Sequence, residues 1–470
     1  MRTLLNRVLI GLTIILTCVT AQTVPGYTCS EGNPCTLACC SPYGFCGYGP
    51  DFCSPQSNCI AALSQDQTCN LTSPCDPGTY PGWTNTTWGP TYASAETCPL
   101  NVCCSPFGFC GTTPDFCGNT TVPQPSSNET ASSLSRTIGY YEGWSITRPC
   151  DLDLYTHLLY SFLAIDPVTF EVVPATLEEL TLFPEFTALK NKKAGLEIWL
   201  SIGGWAFNDW PGPTAFTFSE LAASTSAQSA FFASLLSFMS QYGFDGVDID
   251  WEYPVTPDRN GSVADFTNYV SFMQNLREAM DAYSPNSRYG LSMTLPSSYW
   301  YMQNFDIINF AKIIDWFNVM TYDLHGTWDA FDPYIGNIML AHTNLTEIIQ
   351  TMDLLWRNNI DPAQVSMGYG FYGRSFTASD PNCLEAGCQF SSGANAGPCT
   401  QSPGILSFLE IEAILNDPTR NPIITLDPIA AVQIVTWDSD QWVSFDNQET
   451  IQMKQAYADS RGIGGRVTND

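Results

Sequence analysis

Three carboxylates, Asp248, Asp250 and Glu252, alternate with Val247, Ile249 and Trp251 in the stretch Phe244-Asp-Gly-Val-Asp-Ile-Asp-Trp-Glu-Tyr-Pro254. Successive side chains of a β-strand point to opposite faces. This period of two therefore predicts all three acids on one face and the apolar residues on the other. Neighbouring acids would then sit roughly 6–7 Å apart along the strand. Like charges that close cannot all ionise cheaply, so at least one proton is expected to be held well above the ordinary carboxyl range. A raised carboxyl pKa is what a general acid working near neutrality needs. The stretch thus predicts a strand that carries an acid catalyst. A divalent-metal site on Asp-x-Asp-x-Glu is the weaker reading, because no calcium-loop turn glycine and no nearby histidine accompany it. Neither a metal nor a cofactor is expected.

Around this stretch, from Arg136 onward, apolar β-branched runs alternate with amphipathic ones. Strands are predicted at Thr137–Tyr141, Thr156–Ile165, Leu196–Gly203, Gly243–Asp250, Tyr289–Leu295, Trp316–Thr321 and Val365–Phe371. Helix-period segments lie between them, for example Ala227–Tyr242 and Ser262–Tyr283. Such alternation predicts a parallel α/β architecture, either a barrel or a doubly wound sheet. Charged residues on buried strand ends favour the barrel, whose active site lies at the C-terminal ends of its strands. A long interruption, about Ser375–Ser444, holds Cys383, Cys388 and Cys399 and predicts a small α+β insertion after strand 7. Gly368-Tyr-Gly-Phe-Tyr-Gly373 formally matches a dinucleotide fingerprint, but no helix pattern or spaced acid follows it.

The 470 residues allow one large domain plus small modules. The net charge of -29, from 46 acids against 17 bases, argues against nucleic-acid and anionic-membrane partners and suits a neutral polymer. Residues 1–21 combine early basic residues, a short apolar core and a small-residue Val-Thr-Ala end, the pattern of a removable secretory signal peptide. Its apolar core is short for a membrane span. Sequons at Asn70, Asn85, Asn119, Asn128, Asn260 and Asn344 fit an exported glycoprotein.

Of 19 cysteines, Cys18 lies in the signal segment and fourteen fall between Cys29 and Cys117. The block Cys29-x5-Cys35-x3-Cys39-Cys40-x5-Cys46-x6-Cys53-x5-Cys59 is echoed by Cys98-x4-Cys103-Cys104-x5-Cys110-x6-Cys117, with Cys69 and Cys75 ahead of it. With only three His in the chain and none in these blocks, disulfides outweigh zinc. Ser41, Tyr43, Phe45 and Phe52 recur as Ser105, Phe107, Phe109 and Phe116. Modules this small have little core, so their aromatics are expected at the surface, where flat faces can stack on sugar rings beside a serine hydroxyl. The plainer alternative is that the rings form the mini-core. Residues 119–135, rich in Ser, Thr and Pro, have linker composition.

The duplicated pattern resembles hevein-type chitin-binding modules, in which the serine and three aromatics bind N-acetylglucosamine. The x3 gap between Cys35 and Cys39 and the long Cys75–Cys98 interval depart from that family's spacing. Asp245-Gly-Val-Asp-Ile-Asp-Trp-Glu252 resembles the signature of glycoside hydrolase family 18. Leu200-Ser-Ile-Gly-Gly-Trp205, Met320-Thr-Tyr-Asp323 and Gly370-Phe-Tyr-Gly-Arg374 resemble that family's motifs on strands three, six and seven. The whole is similar to the fungal, killer-toxin-like chitinases. The expected organisation is a signal peptide at 1–21, modules at 22–62 and 63–118, a linker at 119–135, and a (β/α)8 TIM barrel at 136–470.

The resemblance implies that Glu252 protonates the glycosidic oxygen while the substrate's own 2-acetamido oxygen attacks the anomeric carbon, an exception to the two-carboxylate rule. It assigns Asp250 to the acetamido group, Asp248 to a shared proton and Tyr322 to the acetamido carbonyl. Tyr140, Trp144, Trp205, Tyr253, Met320, Asp323, Tyr372 and Arg374 match positions lining the sugar subsites, although barrel packing alone is an alternative for each. The expected partner is chitin and its oligosaccharides, met by a secreted, extracellular or cell-wall-associated monomer.

One position departs from the family. Its eighth strand follows a Gly-Gly pair and delivers a tryptophan beneath the bond to be cleaved, whereas here Asn469 falls at that place. Loss of such a stacking face would remove on the order of 1–3 kcal/mol of binding. The sequence thus predicts an unfinished last strand, no last barrel helix, and a truncated or impaired enzyme. The rival to an endo-acting chitinase is a non-catalytic chitin-binding lectin. An endo-β-N-acetylglucosaminidase acting on glycoproteins fits the modules less well.

Overall fold

The computed structural model describes residues 28–35, 39–47, 50–53, 57–64, 69, 74–75, 97–105, 108–125, 132–143, 152–332 and 334–469. Residues 1–21, Phe107, Trp144, Cys150 and the sequons at Asn70, Asn85 and Asn128 lie outside the described residues. The chain divides into two units, Met1–Thr121 and Val122–Asp470.

In the second unit eight strands close a parallel barrel. They are β1 (Arg136–Glu142), β2 (His157–Ile165), β3 (Glu197–Gly203), β4 (Gly246–Asp250), β5 (Gly290–Leu295), β6 (Trp316–Val319), β7 (Val365–Gly370) and β8 (Gly465–Asn469). Each pairs with its neighbour in order, and β8 closes the ring by pairing with both β7 and β1. The seven predicted strands match to within a few residues. The expected break after Gly465 does not occur: Gly465 through Thr468 pair with β1, and the Asn469 backbone pairs with Gly370. The apolar pattern did not mark this strand, which only the family motif placed after the Gly-Gly pair, because glycine and polar residues replace the apolar run of the other strands.

The barrel floor is plugged by Trp199 and Trp316, packed with Ile138, Leu159 and Val467. Glycines at the starts of β4 and β5 make room for this plug. A Cβ on Gly246 or Gly290 would come within 2.4 Å or 1.9 Å of the Trp199 ring. Helix Thr225–Tyr242 delivers the chain into β4: its N-terminus is capped by the Ser224 hydroxyl, and it ends at Gly243 in the left-handed region. Asp245 then ties the base of β4 down, accepting from the Ile198 N–H at 2.9 Å and pairing with Lys190 at 2.8 Å.

Between β7 and β8 the chain builds a six-stranded antiparallel sheet from Tyr372–Ala378, Phe390–Gly393, Ile405–Ser407, Ile423–Asp427, Val432–Trp437 and Gln441–Phe445. Helix Phe408–Leu415 packs with it around Leu406, Ile411, Val435 and Val443, so the insertion is α+β as expected. The dinucleotide-like glycines fall on β7 and on the first inserted strand, with no helix between them. Cys383 and Cys388 are bridged, whereas Cys399 has no disulfide partner among the described residues. Part of the predicted linker is docked: Ser133 is buried, and both its N–H and its hydroxyl donate to Asp459.

The first unit contains two copies of one cystine scaffold. In each, a two-stranded antiparallel ribbon (Cys39–Cys40 with Cys46–Gly47, then Cys103–Cys104 with Cys110–Gly111) precedes a short helix, Pro50–Cys53 or Pro114–Cys117. Bridges 29–40, 35–46 and 39–53 recur as 75–104, 98–110 and 103–117. A further bridge joins Cys59 to Cys69, so Cys69 belongs with the first block and not ahead of the second.

Among the described residues, no helix is long and apolar enough to cross a membrane.

Candidate active site

β4 presents its carboxylates into the barrel in tiers, while Val247, Ile249 and Trp251 are buried on its other face. The strand ends at Asp250 and not at Glu252. The predicted three-acid strand face is thus two residues of strand plus one of the following loop. Glu252 is nevertheless buried with the other two acids.

Asp248 is the deepest. Its Oδ2 accepts from the Tyr140 hydroxyl at 2.7 Å and from Ser201 at 2.9 Å; its Oδ1 accepts from Ser292 at 2.6 Å and from Asn318 Nδ2 at 3.1 Å. Burial raises its pKa, and these four donors work against the rise. One tier up, Asp250 Oδ1 accepts from Thr294 at 2.6 Å. Burial, then the charges of Glu252 and Asp248, hold the Asp250 carboxyl well above the ordinary range.

Glu252 is pushed up to about 7, first by burial and further by Asp323 and Asp209, against a hydrogen bond from Tyr253 and the Arg259 charge. A carboxyl at that value exists as both acid and base near neutrality, which is the requirement for giving a proton and taking one back.

Glycine lets β3 approach this array. Gly203 and Gly204 have φ of 119° and 85°, and a Cβ on Gly203 would lie 1.9 Å from the Asp250 carbonyl oxygen. The Gly204 N–H donates to that same carbonyl at 2.9 Å. The glycine pair of the strand-three motif is therefore a contact requirement.

Above the acids, the site residues fall into two groups. Tyr322 and Tyr372 are edge-to-face at 6.4 Å, and Asp323 grips Arg374 through two parallel bonds of 2.7 and 2.6 Å. Burial alone would raise Asp323, but hydrogen bonds from His342 and Arg374 hold it well below the ordinary range. Met320 lies at the end of β6, its carbonyl accepting from the Ser297 hydroxyl. On the opposite flank, Tyr253 packs on Tyr301 at 4.4 Å and meets Trp205 edge-on at 6.3 Å. Tyr140, expected to line a sugar subsite, donates its hydroxyl to Asp248 at 2.7 Å.

Several site residues were not foreseen from the sequence. Ser201, Ser292, Thr294 and Asn318 bind the two deep acids, and their signal was a polar residue at inward strand positions otherwise filled by apolar ones. Arg259 carried no such signal. It is buried, its Nε donates to the Glu252 carbonyl at 2.9 Å, its Nη1 pairs with Asp209 at 2.7 Å, and its guanidinium lies 3.6 Å from the Trp205 ring centre.

In the cystine unit, Tyr43 is 85% exposed, while Phe45 and Phe109 are also exposed. Phe52 is buried, and both Phe52 and Phe116 sit on a glycine: a Cβ on Gly47 or Gly111 would come within 2.5 Å of the ring. The expected surface display thus fails for Phe52, while Phe116 is half-buried against its glycine. The Ser41 and Ser105 hydroxyls are also buried and accept the Phe45 and Phe109 N–H groups, closing the turns that display those rings.

A closed parallel barrel with buried acids converging at one strand end, flanked by aromatic faces, has the build of a hydrolase of polymeric sugars. The chain belongs to glycosyl hydrolases family 18, whose model matches residues 136–468, and a chitin recognition protein model matches residues 89–126. The chain is 30% identical over 418 residues to a secreted chitinase of Penicillium expansum, covering 80% of this chain and 27% of that one. It is 32% identical over 350 residues to the killer toxin subunits alpha/beta of Kluyveromyces lactis, covering 69% and 29% respectively. The chain thus spans under a third of the length of either relative. Among solved structures, the Group IV chitinase of Ostrinia furnacalis matches with a TM-score of 0.62 and 27% identity, covering 71% of this chain and 92% of that one.

Proposed function

We propose that the protein is a secreted chitinase that cleaves β-1,4 bonds between N-acetylglucosamine units by substrate-assisted, retaining catalysis. The observation that carries this reading is Glu252: a buried carboxyl pushed up to about 7, two residues from a second buried acid, Asp250, whose pKa is also raised well above the ordinary range. Glu252 gives its proton to the glycosidic oxygen as the C1–O bond breaks, and the 2-acetamido oxygen closes on C1. Asp250 accepts from the acetamido N–H and, as its proton passes to Asp248, the carboxylate left behind offsets the charge of the oxazolinium. Tyr322, whose hydroxyl burial keeps protonated, donates to the acetamido carbonyl. Water then attacks C1 and returns a proton to Glu252, restoring the acid with retained configuration.

Supporting export are the N-terminal signal pattern, the cystine-rich unit, and a relative named as secreted. Chitin recognition by the exposed rings of the first unit would raise the barrel's effective concentration on insoluble substrate. The protein is read as a monomer.

The test is turnover of chitin oligosaccharides by the parent and by Glu252→Gln. The expected outcome is a loss of about 10²–10⁴-fold in kcat for the variant with oligosaccharide binding retained. Binding without any turnover by the parent would instead establish the lectin reading, which Asn469 at the family's tryptophan position favours.

A further inference from the structure

The segment after β3, a loop running into helix Thr217–Ala223, places its aromatics in two opposite environments. Phe207 and Phe218 turn inward, their rings 4.9 Å apart and Phe218 stacked on the buried Trp251 at 5.2 Å. Trp205, Trp210 and Phe216 turn outward, at 51%, 69% and 46% exposure. The outward set does not come from a loose loop. Asn208 Nδ2 donates to the Ala215 carbonyl at 3.1 Å, Thr214 Oγ1 to the Phe207 carbonyl at 2.6 Å, and the Gly212 N–H to the Asp209 carbonyl at 2.7 Å. These bonds fold 205–216 into a closed strap in which the Trp210 and Phe216 rings meet edge-on at 5.7 Å.

The strap is fastened to the segment that bears the catalytic acid. Arg259 bridges the Glu252 carbonyl, the Trp205 carbonyl and the Asp209 carboxylate, while Asn260 Nδ2 donates to the Asn208 carbonyl at 2.8 Å. Asp209 lies close enough to Glu252 to raise its pKa. Trp210 follows Asp209 directly, so the exposed pair adjoins the Asp209–Arg259–Trp205 contacts.

Single exposed apolar residues are ordinary on protein surfaces. Here two large rings are held in contact by an ordered strap, in continuity with a site that binds sugar rings through aromatic faces. We infer that Trp210 and Phe216 form a further binding platform for N-acetylglucosamine units of the same chitin chain, beyond those held at Glu252. The inference rests on the chitin reading above. The chemistry is that of the cleft: the apolar face of a pyranose stacks on indole or phenyl, a neutral contact that the chain's net negative charge does not oppose.

The experiment uses the full-length secreted protein and its Trp210→Ala/Phe216→Ala variant, with N-acetylglucosamine trimer and hexamer as probes. The platform predicts that KM for the hexamer rises about tenfold, with kcat and all trimer parameters unchanged. An equal change for both lengths, or none for either, overturns it. The same pair of oligomers is titrated calorimetrically into Glu252→Gln with and without the double substitution. A selective weakening of hexamer binding supports the platform even where the parent turns over neither oligomer, a result that would sink the hydrolase reading alone. If the hexamer binds Glu252→Gln with the same affinity in both backgrounds, or does not bind at all, the platform is wrong.

Discussion

The cystine unit and the barrel face the same problem, holding functional side chains against water, and solve it in opposite ways. In the first described module the core is the cross-links themselves: Cys29, Cys35, Cys40 and Cys46 form the buried cluster. Covalent closure releases Tyr43 and Phe45 from core duty and leaves them at the surface. In the barrel, an extensive apolar core carries the stability, and its surplus tolerates three buried acids that each resist ionisation. A module this small cannot hold buried charge, and the barrel does not depend on cross-links to hold its shape. The difference predicts that binding and catalysis fail under different stresses.

The largest expected effect is redox. A native disulfide in a small domain is worth about 2–5 kcal/mol. The barrel's one bridge among the described residues, Cys383–Cys388, closes a separation of only 5 residues. Treatment with reductant should therefore abolish retention on insoluble chitin while turnover of soluble oligomers and tryptophan fluorescence persist. Parallel loss of both would break the comparison. Next in size, Tyr43→Ala with Phe109→Ala should weaken retention on insoluble chitin about tenfold and spare soluble turnover. Unchanged retention would show that those rings are not the binding face.

The smallest effect concerns the barrel's electrostatics. In the proposed mechanism Glu252 acts in its protonated form, so activity should fall as pH rises through about 7. Asp209 raises that value, and its pairing offsets the Arg259 charge that lowers it. Asp209→Asn should therefore move the alkaline limb of the pH–rate profile to lower pH. A limb that stays fixed or moves upward would contradict the assignment.

Strands were legible wherever a continuous apolar run filled a barrel stave, and illegible at β8, where Gly465, Arg466 and Thr468 break the run. Alternation correctly placed Asp248 and Asp250 on one face of a strand that ends, as expected, at Asp250. Glu252, which the alternation also placed with the other two acids, reaches the site from the loop after the strand. The Ser and Thr partners of the deep acids were visible as polar residues at inward strand positions and were passed over. Arg259 was not visible, because its three partners come from segments brought together only by the fold. Phe52 and Phe116 each lie against a glycine five residues earlier, Gly47 or Gly111, so their rings pack on the ribbon and do not project from it.

The clamp between Asp323 and Arg374 also has a consequence for recombination. Arg374 lies on the first strand of the inserted sheet, beside Tyr372, yet both face residues at the end of β6. The insertion is therefore not a cassette that can be exchanged whole between relatives. A graft that carries Tyr372–Arg374 along with the foreign sheet would import half of an ion pair and one wall of the cleft. Viable crossovers should leave those three residues with the barrel and fall at Ser375 or later, so that lineages can remodel the sheet while its first three residues remain with the catalytic machinery.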